Sequence, residues 1–128
     1  MKKQILVVDD EISIHKLLQF ILAKDYNLVI KYNGVEALSW LNEGNNPDLI
    51  ISDLEMPYID GKSFIRNLKI SGHFHDIPVI LISGADDLES IVNRMTYKAD
   101  CFFKKPFNAN ELKSCITTSL INYELSTR

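Results

Sequence analysis

The fold is predicted by one stretch of sequence, Asp48-Leu49-Ile50-Ile51-Ser52-Asp53, with Met56-Pro57 close behind it. Its apolar residues follow one another without the polar alternation of a half-exposed strand, which is typical of a strand buried on both faces of a sheet. A carboxylate at the end of such a strand is unfavourable unless a charged group meets it. Asp53 could simply begin a turn before Met56-Pro57, but its position favours a chemical site.

The same pattern recurs along the chain. Ile5-Leu6-Val7-Val8 is a second apolar run, and it leads into Asp9-Asp10-Glu11. Three further runs are Leu28–Ile30, Val79–Ile82 and Cys101–Phe103. Apolar residues at helical spacing occupy the segments between and after these runs, so five strands alternate with five helices. The pattern predicts an α/β fold, doubly wound as (βα)5, in which a five-stranded parallel sheet is buried between helices on both faces.

Polar residues mark the predicted helix starts. Asp10 is expected to cap the first helix, Asn33-Gly34 to open the turn into the second, Asp60-Gly61 to precede the third, and Asn108 to cap the fifth. Capping is also a competing explanation for the Asp9-Asp10 pair, since aspartate is among the preferred N-cap residues.

The carboxyl ends of the predicted strands carry residues of complementary chemistry. In an open doubly wound sheet these ends meet at one edge, which is where binding sites form. The strands end, in chain order, in Asp9-Asp10, Lys31-Tyr32-Asn33, Asp53, Ser83 and Lys104-Lys105-Pro106. The sheet is therefore expected to bring three carboxylates, a hydroxyl and an ammonium group to one place.

Three neighbouring carboxylates repel one another when ionised, and a hard divalent cation relieves that repulsion. Mg²⁺ prefers oxygen ligands, keeps several waters, and binds one or two carboxylates together with a phosphate. Beside such an ion, Asp53 could use a free oxygen as a nucleophile on phosphorus and form an aspartyl phosphate. Lys105 and the hydroxyl of Ser83 would then contact the phosphoryl oxygens, as a charge and as a hydrogen-bond donor.

The composition sets limits on the other classes of function. The chain has 128 residues, 46% hydrophobic and 24% charged, which suits one domain; we expect a core over residues 4–121 and a tail or linker start over 122–128. A net charge of −3 gives no electrostatic footprint for nucleic acid, so direct binding of nucleic acid is not expected. The apolar run after Met1-Lys2-Lys3 is short and stops at two aspartates, which predicts neither a signal peptide nor a membrane span. A cytoplasmic location is expected.

The two cysteines, Cys101 and Cys115, are separated by thirteen residues, and no third cysteine or histidine cluster accompanies them. We expect two reduced structural thiols rather than a disulfide or a metal site.

Together these motifs resemble those of the receiver domain of two-component response regulators. The motifs are Val8-Asp9-Asp10-Glu11, Ser52-Asp53-Leu54-Glu55-Met56-Pro57 with Asp60-Gly61, Pro78–Ser83, and Lys105-Pro106-Phe107. Each is weak alone, but their order on successive strand ends is specific, and the resemblance spans Ile5 to Leu120. It implies a flavodoxin-like sheet with the strand order 2-1-3-4-5.

The resemblance also implies a role for each site residue. Asp53 would be the phosphoacceptor, and Asp10 and Asp53 direct ligands of Mg²⁺ or Mn²⁺. Asp9 would act through a bound water, and the backbone carbonyl of Glu55 would complete the ligand set. Ser83 would be the switch hydroxyl, where threonine is commoner, and Lys105 the phosphoryl contact. Phe102 would be the switch aromatic, where tyrosine is frequent, and Lys105-Pro106 a cis peptide.

The implied function is a phosphorylation-dependent switch that assists only its own phosphorylation and dephosphorylation. The phosphodonor would be a histidine kinase or a histidine phosphotransfer protein. The signal would pass through the surface formed by the fourth helix, the fifth strand and the fifth helix, and the same surface would support dimerisation. Few residues follow Ile121, so the target is a separate protein if the chain is a stand-alone receiver, or an output domain if it is a fragment.

Three other functions remain open. Hydrolases with an aspartyl nucleophile and magnesium share this kind of sheet, but they carry an Asp-x-Asp motif after the first strand, and Asp9-Asp10-Glu11 lacks that spacing. A receiver-like interaction module that is never phosphorylated would not need the complete set of Asp10, Asp53, Ser83 and Lys105. A flavodoxin-like cofactor carrier is less favoured, since no glycine-rich phosphate loop follows the first strand.

Overall fold

The computed structural model describes residues 2–126, in which five strands alternate with five helices. The strands are β1 (Lys3–Val8), β2 (Tyr26–Lys31), β3 (Leu49–Asp53), β4 (Val79–Ser83) and β5 (Cys101–Lys104). The helices are α1 (Ile12–Leu22), α2 (Gly34–Asn42), α3 (Gly61–Lys69), α4 (Leu88–Arg94) and α5 (Ala109–Ser126). Within the described part of the chain, none of the helices combines the length and the apolar character needed to cross a bilayer.

The five strands form one parallel sheet in the order β2-β1-β3-β4-β5. The predicted fold class and strand order are confirmed. The order reverses between β1 and β3, so the connections that leave these two strands diverge to opposite faces and open a crevice at their carboxyl ends. The pairing of Val8 with Ser52 and of Asp53 with Ile82 brings the ends of β1, β3 and β4 level with one another.

Alternate residues of the strands fill two separate apolar layers. Leu6 and Val8 of β1 belong to the layer covered by α2, α3 and α4, whereas Ile5 and Val7 belong to the layer covered by α1 and α5. Each fully buried leucine or isoleucine contributes about 1.5–3 kcal/mol relative to exposure. Because both faces of the sheet are covered, the central strands have no solvent side, which explains their unbroken apolar runs.

The prediction that every strand is buried on both faces is wrong for the two edge strands, β2 and β5. Every residue of β3 and β4 is buried, but β2 is mostly half-buried and β5 alternates between half-buried and exposed residues. Phe102 of β5 is 39% exposed. A strand at the edge of a sheet lacks a neighbour on one side, which leaves part of its apolar surface open to water.

Three of the predicted helix starts are confirmed and one is wrong. The side chains of Asn33, Asp60 and Asn108 each accept a hydrogen bond from the backbone N–H three residues later. Asp10 does not cap α1: the N-cap residue is Glu11, and no side-chain capping bond is formed there. Asp9 instead accepts a hydrogen bond from Glu11 N at 2.9 Å, so the Asp9 carboxylate orders the start of α1.

The predicted reduced state of the two cysteines is also wrong in this structure. Cys101 and Cys115 form a disulfide between the start of β5 and the middle of α5, with their Cα atoms 6.9 Å apart. The sequence spacing gave no indication of this pair, because their proximity arises from the way in which α5 packs back against the edge strand. The predicted cis peptide between Lys105 and Pro106 is confirmed.

Helix α5 reaches Ser126, so residues 122–126, predicted as a tail or linker start, are helical. Residues 127 and 128 of that predicted segment lie outside the described residues.

The loop from β3 to α3 folds tightly beneath the carboxyl end of β3. Ile59 N donates to Pro57 O at 2.8 Å across Tyr58, whose φ of 71° lies in the left-handed region, and Gly61 N donates to Leu54 O at 2.7 Å. A Cβ atom on Gly61 would lie 2.5 Å from Asp53 O and 2.7 Å from Leu54 Cα. Glycine is therefore required where α3 begins against the strand that carries Asp53.

We predict that Gly61→Ala lowers the free energy of unfolding by about 1–3 kcal/mol, since the added methyl group overlaps backbone atoms that cannot rotate away. Urea denaturation followed by circular dichroism measures this loss. Gly72→Ala is the matched control, because a Cβ atom there meets nothing within 4 Å and its φ is not positive. Equal effects of the two substitutions would contradict the packing argument.

Candidate functional site

Three carboxylates converge at the carboxyl edge of the sheet. Asp9 and Asp10 follow β1, Asp53 ends β3, and one oxygen of each side chain lies within 4.8 Å of the others. Asp9 and Asp53 are buried, whereas Asp10 is exposed to solvent. The arrangement confirms that the sheet brings these residues together, and it leaves one side of the cluster open to solvent.

Lys105 is the cation of this cluster. Its Nζ atom lies 2.9 Å from Glu11 Oε1, 3.1 Å from Asp9 Oδ2 and 3.6 Å from Asp53 Oδ2. The lysine side chain is only 13% exposed, so its ion pairs with the buried Asp9 and Asp53 are poorly screened by water, whereas Glu11 is 52% exposed. Lys105 therefore offsets part of the negative charge that the two buried aspartates bring to the edge.

The two oxygens of Asp53 have different surroundings. Oδ1 accepts hydrogen bonds from the backbone N–H groups of Leu54 at 2.8 Å and Glu55 at 3.4 Å. Oδ2 lies on the side of Lys105 and has no hydrogen bond within the described residues. The backbone thus fixes the orientation of the carboxyl group and leaves one oxygen available for chemistry.

Burial, and secondly the neighbouring charge of Asp9, raise the pKa of Asp53 to about 6, against the opposing effects of Lys105 and of the backbone N–H groups of Glu55 and Leu54. Burial also raises the pKa of Asp9, despite the hydrogen bond from Glu11 N and the charge of Lys105. For Lys105, burial lowers the pKa, but the bond to Glu11 and the charges of Asp53 and Asp9 outweigh it, so the net shift is upward. The ionised form of the cluster is therefore unfavourable without a further positive charge.

A cavity of about 370 Å³ lies beside these groups and brings in the remaining predicted residues. Its lining consists of Asp10, Glu11, Asp53, Glu55, Ser83, Gly84 and Lys105. Ser83 is fully buried at the end of β4, where its Oγ accepts from Ala85 N at 3.1 Å and its carbonyl accepts from Lys105 N at 2.8 Å. Ser83 is thus a strand-end hydroxyl that also faces the acidic cavity.

Phe102 does not line this cavity. Its side chain is on the exposed side of β5, and its backbone pairs with that of Leu81 in β4. The structure therefore brings Asp9, Asp10, Asp53, Ser83 and Lys105 together and places Phe102 on the neighbouring outer surface.

Two residues with contacts to the site were given no role in the sequence analysis. Glu11 forms the shortest of the three ion pairs of Lys105. His15 is buried in α1, its Nε2 is hydrogen-bonded to the backbone carbonyl of Asp9, and its ring contacts Tyr32 edge-on. His15, Leu18 and Leu22 lie at helical spacing on one face of α1, so the helical period could have indicated that His15 is buried.

The donor set fits a hard divalent cation. The atoms available on Asp9, Asp10 and Asp53 are all carboxylate oxygens, which are the ligands that Mg²⁺ and Mn²⁺ prefer. Burial raises the pKa values of Asp9 and Asp53, so a bound cation would favour the ionised forms of both, and the cavity has room for metal-bound waters.

Known proteins resemble this chain in sequence. A family model described as the response regulator receiver domain matches residues 5–117. Among curated proteins, the chain is 35% identical over 120 residues to the probable transcriptional regulator ycf27 of Cyanophora paradoxa, covering 93% of this chain and 48% of that protein. It is 28% identical over 124 residues to the response regulator Rre1 of a Synechocystis strain, covering 95% of this chain and 53% of that protein.

Solved structures agree with the fold. The signal receiver domain of a signal transduction histidine kinase from Syntrophus aciditrophicus superposes with a TM-score of 0.85 at 35% identity, covering 94% of this chain and 91% of that chain. A response regulator receiver domain from Clostridium thermocellum gives a TM-score of 0.84 at 28% identity, covering 96% and 98% of the two chains. The chain spans about half the length of the curated relatives it matches.

We predict that Asp53→Asn stabilises the protein in EDTA at pH 7.5. The pKa of Asp53 rises on folding from 3.8 to about 6, so the ionised side chain destabilises the folded state above that value. The loss of unfolding free energy caused by the ionised Asp53 grows between about pH 4 and pH 6 and is complete above pH 6. It is absent below about pH 4, where the group is protonated in both the folded and the unfolded state. The gain in unfolding free energy at pH 7.5 is therefore up to about 3 kcal/mol.

Urea denaturation of the wild type and the variant at several pH values measures this difference. Asp25→Asn is the matched control, since Asp25 is exposed and precedes β2 at the opposite edge of the sheet. A gain that did not change between pH 4 and pH 7.5 would contradict the assignment of the raised pKa to Asp53.

Proposed function

Because the chain belongs to the family of response regulator receiver domains, which are signalling domains of two-component systems, we propose that it is a phosphoacceptor switch in which Asp53 receives the phosphoryl group. The observation that carries the proposal is the unequal environment of the two Asp53 oxygens. Oδ1 is held by backbone N–H groups, and Oδ2 is directed toward Lys105. This geometry presents one carboxylate oxygen to an incoming phosphorus atom.

The phosphodonor is a histidine kinase or a histidine phosphotransfer protein. Asp53 Oδ2 attacks the phosphorus of the phosphohistidine, the new O–P bond forms, and the N–P bond breaks. The electron pair of that bond returns to the imidazole nitrogen, which takes up a proton. Asp53 must be ionised for this step, and a pKa of about 6 leaves it largely ionised near neutral pH.

Asp10 and Asp53 would hold Mg²⁺ or Mn²⁺ directly, Asp9 would act through a bound water, and the Glu55 backbone carbonyl would complete the set. Bound there, the ion would neutralise negative charge on the phosphoryl oxygens as the group is transferred. Support comes from the all-oxygen donor set and from the open, exposed position of Asp10. The Asp9 carboxylate keeps its second task, which is to accept the hydrogen bond from Glu11 N.

Lys105 and Ser83 would contact the transferred group. Lys105 Nζ is 3.6 Å from Asp53 Oδ2, so a phosphoryl group on that oxygen lies within reach of the ammonium group. The Ser83 Oγ atom accepts from Ala85 N and keeps its own proton to donate to a phosphoryl oxygen. Lys105 would have to leave Glu11 or Asp9 to make full contact, which links phosphorylation to a rearrangement of existing ion pairs.

The response would spread along the elements that leave these residues. Ser83 leads into α4, and Lys105 follows β5, so movement of either residue would alter the surface formed by α4, β5 and α5. Phe102 is exposed on that surface and would turn inward when Ser83 moves, by packing alone, since it has no phenolic oxygen. Phosphorylation shifts the balance of inactive and active conformers only through such differential contacts.

The partners on the output side would be a downstream protein or an output domain outside this chain, and the surface of α4, β5 and α5 would also support dimerisation. Receiver domains are signalling domains rather than classical enzymes. We infer that this domain, spanning residues 1–128, assists only its own phosphorylation and dephosphorylation.

We predict that incubation with acetyl phosphate and Mg²⁺ adds one phosphoryl group to the wild type, and that Asp53→Asn and EDTA each abolish the addition. Intact-protein mass spectrometry measures the added mass. Asp86→Asn is the matched control, since this aspartate is exposed and pairs only with Lys104 among the described residues. Equal labelling of the wild type and Asp53→Asn would exclude Asp53 as the acceptor, and turnover of generic phosphate esters would favour a hydrolase.

We predict a different outcome for Lys105→Ala, because the acceptor remains. Labelling persists at a reduced level, while the phosphorylation-induced changes in the amide NMR spectrum of residues 83–104 become weaker. Lys104→Ala is the matched control, since the Lys104 side chain is 53% exposed and pairs with exposed Asp86. A labelled Lys105→Ala protein with the complete spectral response would remove Lys105 from the switch.

A further inference from the structure

A second cavity, of about 390 Å³, lies between α3 and the end of α4. Its volume falls within the range of small-molecule sites, which is about 300–1,000 Å³. Its lining consists of Lys62, Ser63 and Arg66 from α3, and Arg94, Met95, Thr96 and Tyr97 from the end of α4 and the segment after it. The lining therefore contains three cations and no carboxylate.

None of these cations forms an ion pair within the part of the chain that the structure describes, although Lys62 also borders a cavity lined by Asp10, Glu55 and Asp60. The Arg94 side chain makes one described bond, from Nε to the carbonyl of Ser90 at 3.3 Å. The chain as a whole carries a net charge of −3. The concentration of positive charge at this cavity thus runs against the overall charge of the protein.

The helix dipole favours the positions of only two of these three cations. Arg66 and Arg94 lie in the last turns of α3 and α4, where a positive charge is favourable to the helix dipole. Lys62 lies in the first turn of α3, where a negative charge is favoured. Lys62 and Arg66 are also four residues apart on one helix, a spacing at which like charges destabilise the helix. A bound anion would offset both the repulsion between Lys62 and the helix dipole and the repulsion between Lys62 and Arg66.

We propose that this cavity binds the phosphate group of a small phosphorylated molecule. An arginine guanidinium group matches the geometry of a phosphate and can donate two parallel hydrogen bonds to two of its oxygens. Arg66 and Arg94 supply two such groups, one from each of two helices. The hydroxyls of Ser63 and Thr96 are further donors. Met95, which is buried, and Tyr97, which is half-buried, provide an apolar surface for the organic part of the ligand. None of the residues that line this cavity lines the acidic cavity that contains Asp53.

Isothermal titration of the full chain with inorganic pyrophosphate tests the proposal. EDTA is present, so that no divalent cation draws the anion to the acidic cluster. Saturable binding is expected, and the double variant Arg66→Gln/Arg94→Gln should bind at least about tenfold more weakly, since charge-assisted hydrogen bonds are the strong ones. Both arginines are exposed, so the variant should fold, which circular dichroism checks.

Lys16→Gln/Lys113→Gln is the matched control, because it removes the same charge from exposed positions on α1 and α5 and should leave the affinity unchanged. Equal weakening by both double variants would show a general charge effect and overturn the proposal. No saturable binding by the wild type would overturn it too. The proposal would also be overturned if pyrophosphate shifted amide NMR signals elsewhere in the protein but not those of residues 62–66 and 94–97. Binding of a glutamate-rich peptide but not of pyrophosphate would replace the small ligand with an acidic protein partner.

Discussion

The carboxylates of Asp9 and Asp53 are almost completely removed from water at the edge of the sheet, with exposed fractions of 2% and 5%. Burying two like charges side by side is strongly unfavourable unless other groups compensate. Lys105 lies between them and Glu11, and its backbone N–H donates to Ser83 O, so the counter-charge is fixed in place by the end of β4. Gly61 allows α3 to begin directly beneath Asp53. The surrounding backbone is thus arranged around one destabilised pair of charges.

The sequence predicted those features that depend on local residue patterns or on the topology of the parallel sheet. Unbroken apolar runs such as Ile5–Val8 predicted the strands, because burial on both faces removes the need for polar alternation, and parallel topology placed Asp9, Asp53, Ser83 and Lys105 at one edge. Contacts that depend on how helices pack were missed. The bond of Glu11 to Lys105 and the pairing of Cys101 with Cys115 each join elements whose relative placement no local pattern encodes. The burial of His15, by contrast, follows from the helical period of α1.

Helix α4 connects the two charged regions of the molecule. It begins shortly after Ser83 at the acidic edge and ends at Arg94 in the basic cavity. It is the shortest of the five helices, with seven residues, and Leu88 and Val92 are its buried side chains. A helix with few buried side chains has a low free energy of local unfolding. The two ends of α4 therefore lie beside cavities of opposite charge.

The parts of the acidic site are remote in the chain, since Asp9 and Lys105 are 96 positions apart. A ribosome synthesises β1, β3 and β4 before β5, and β5 pairs with β4 at the edge of the sheet. Until β5 docks, Asp9 and Asp53 have no ammonium group beside them. A nascent or truncated chain that stops before β5 would hold most of the apolar core but lack the counter-charge of its acidic pocket. Completion of the pocket therefore requires β5 and the residue that follows it to dock against β4.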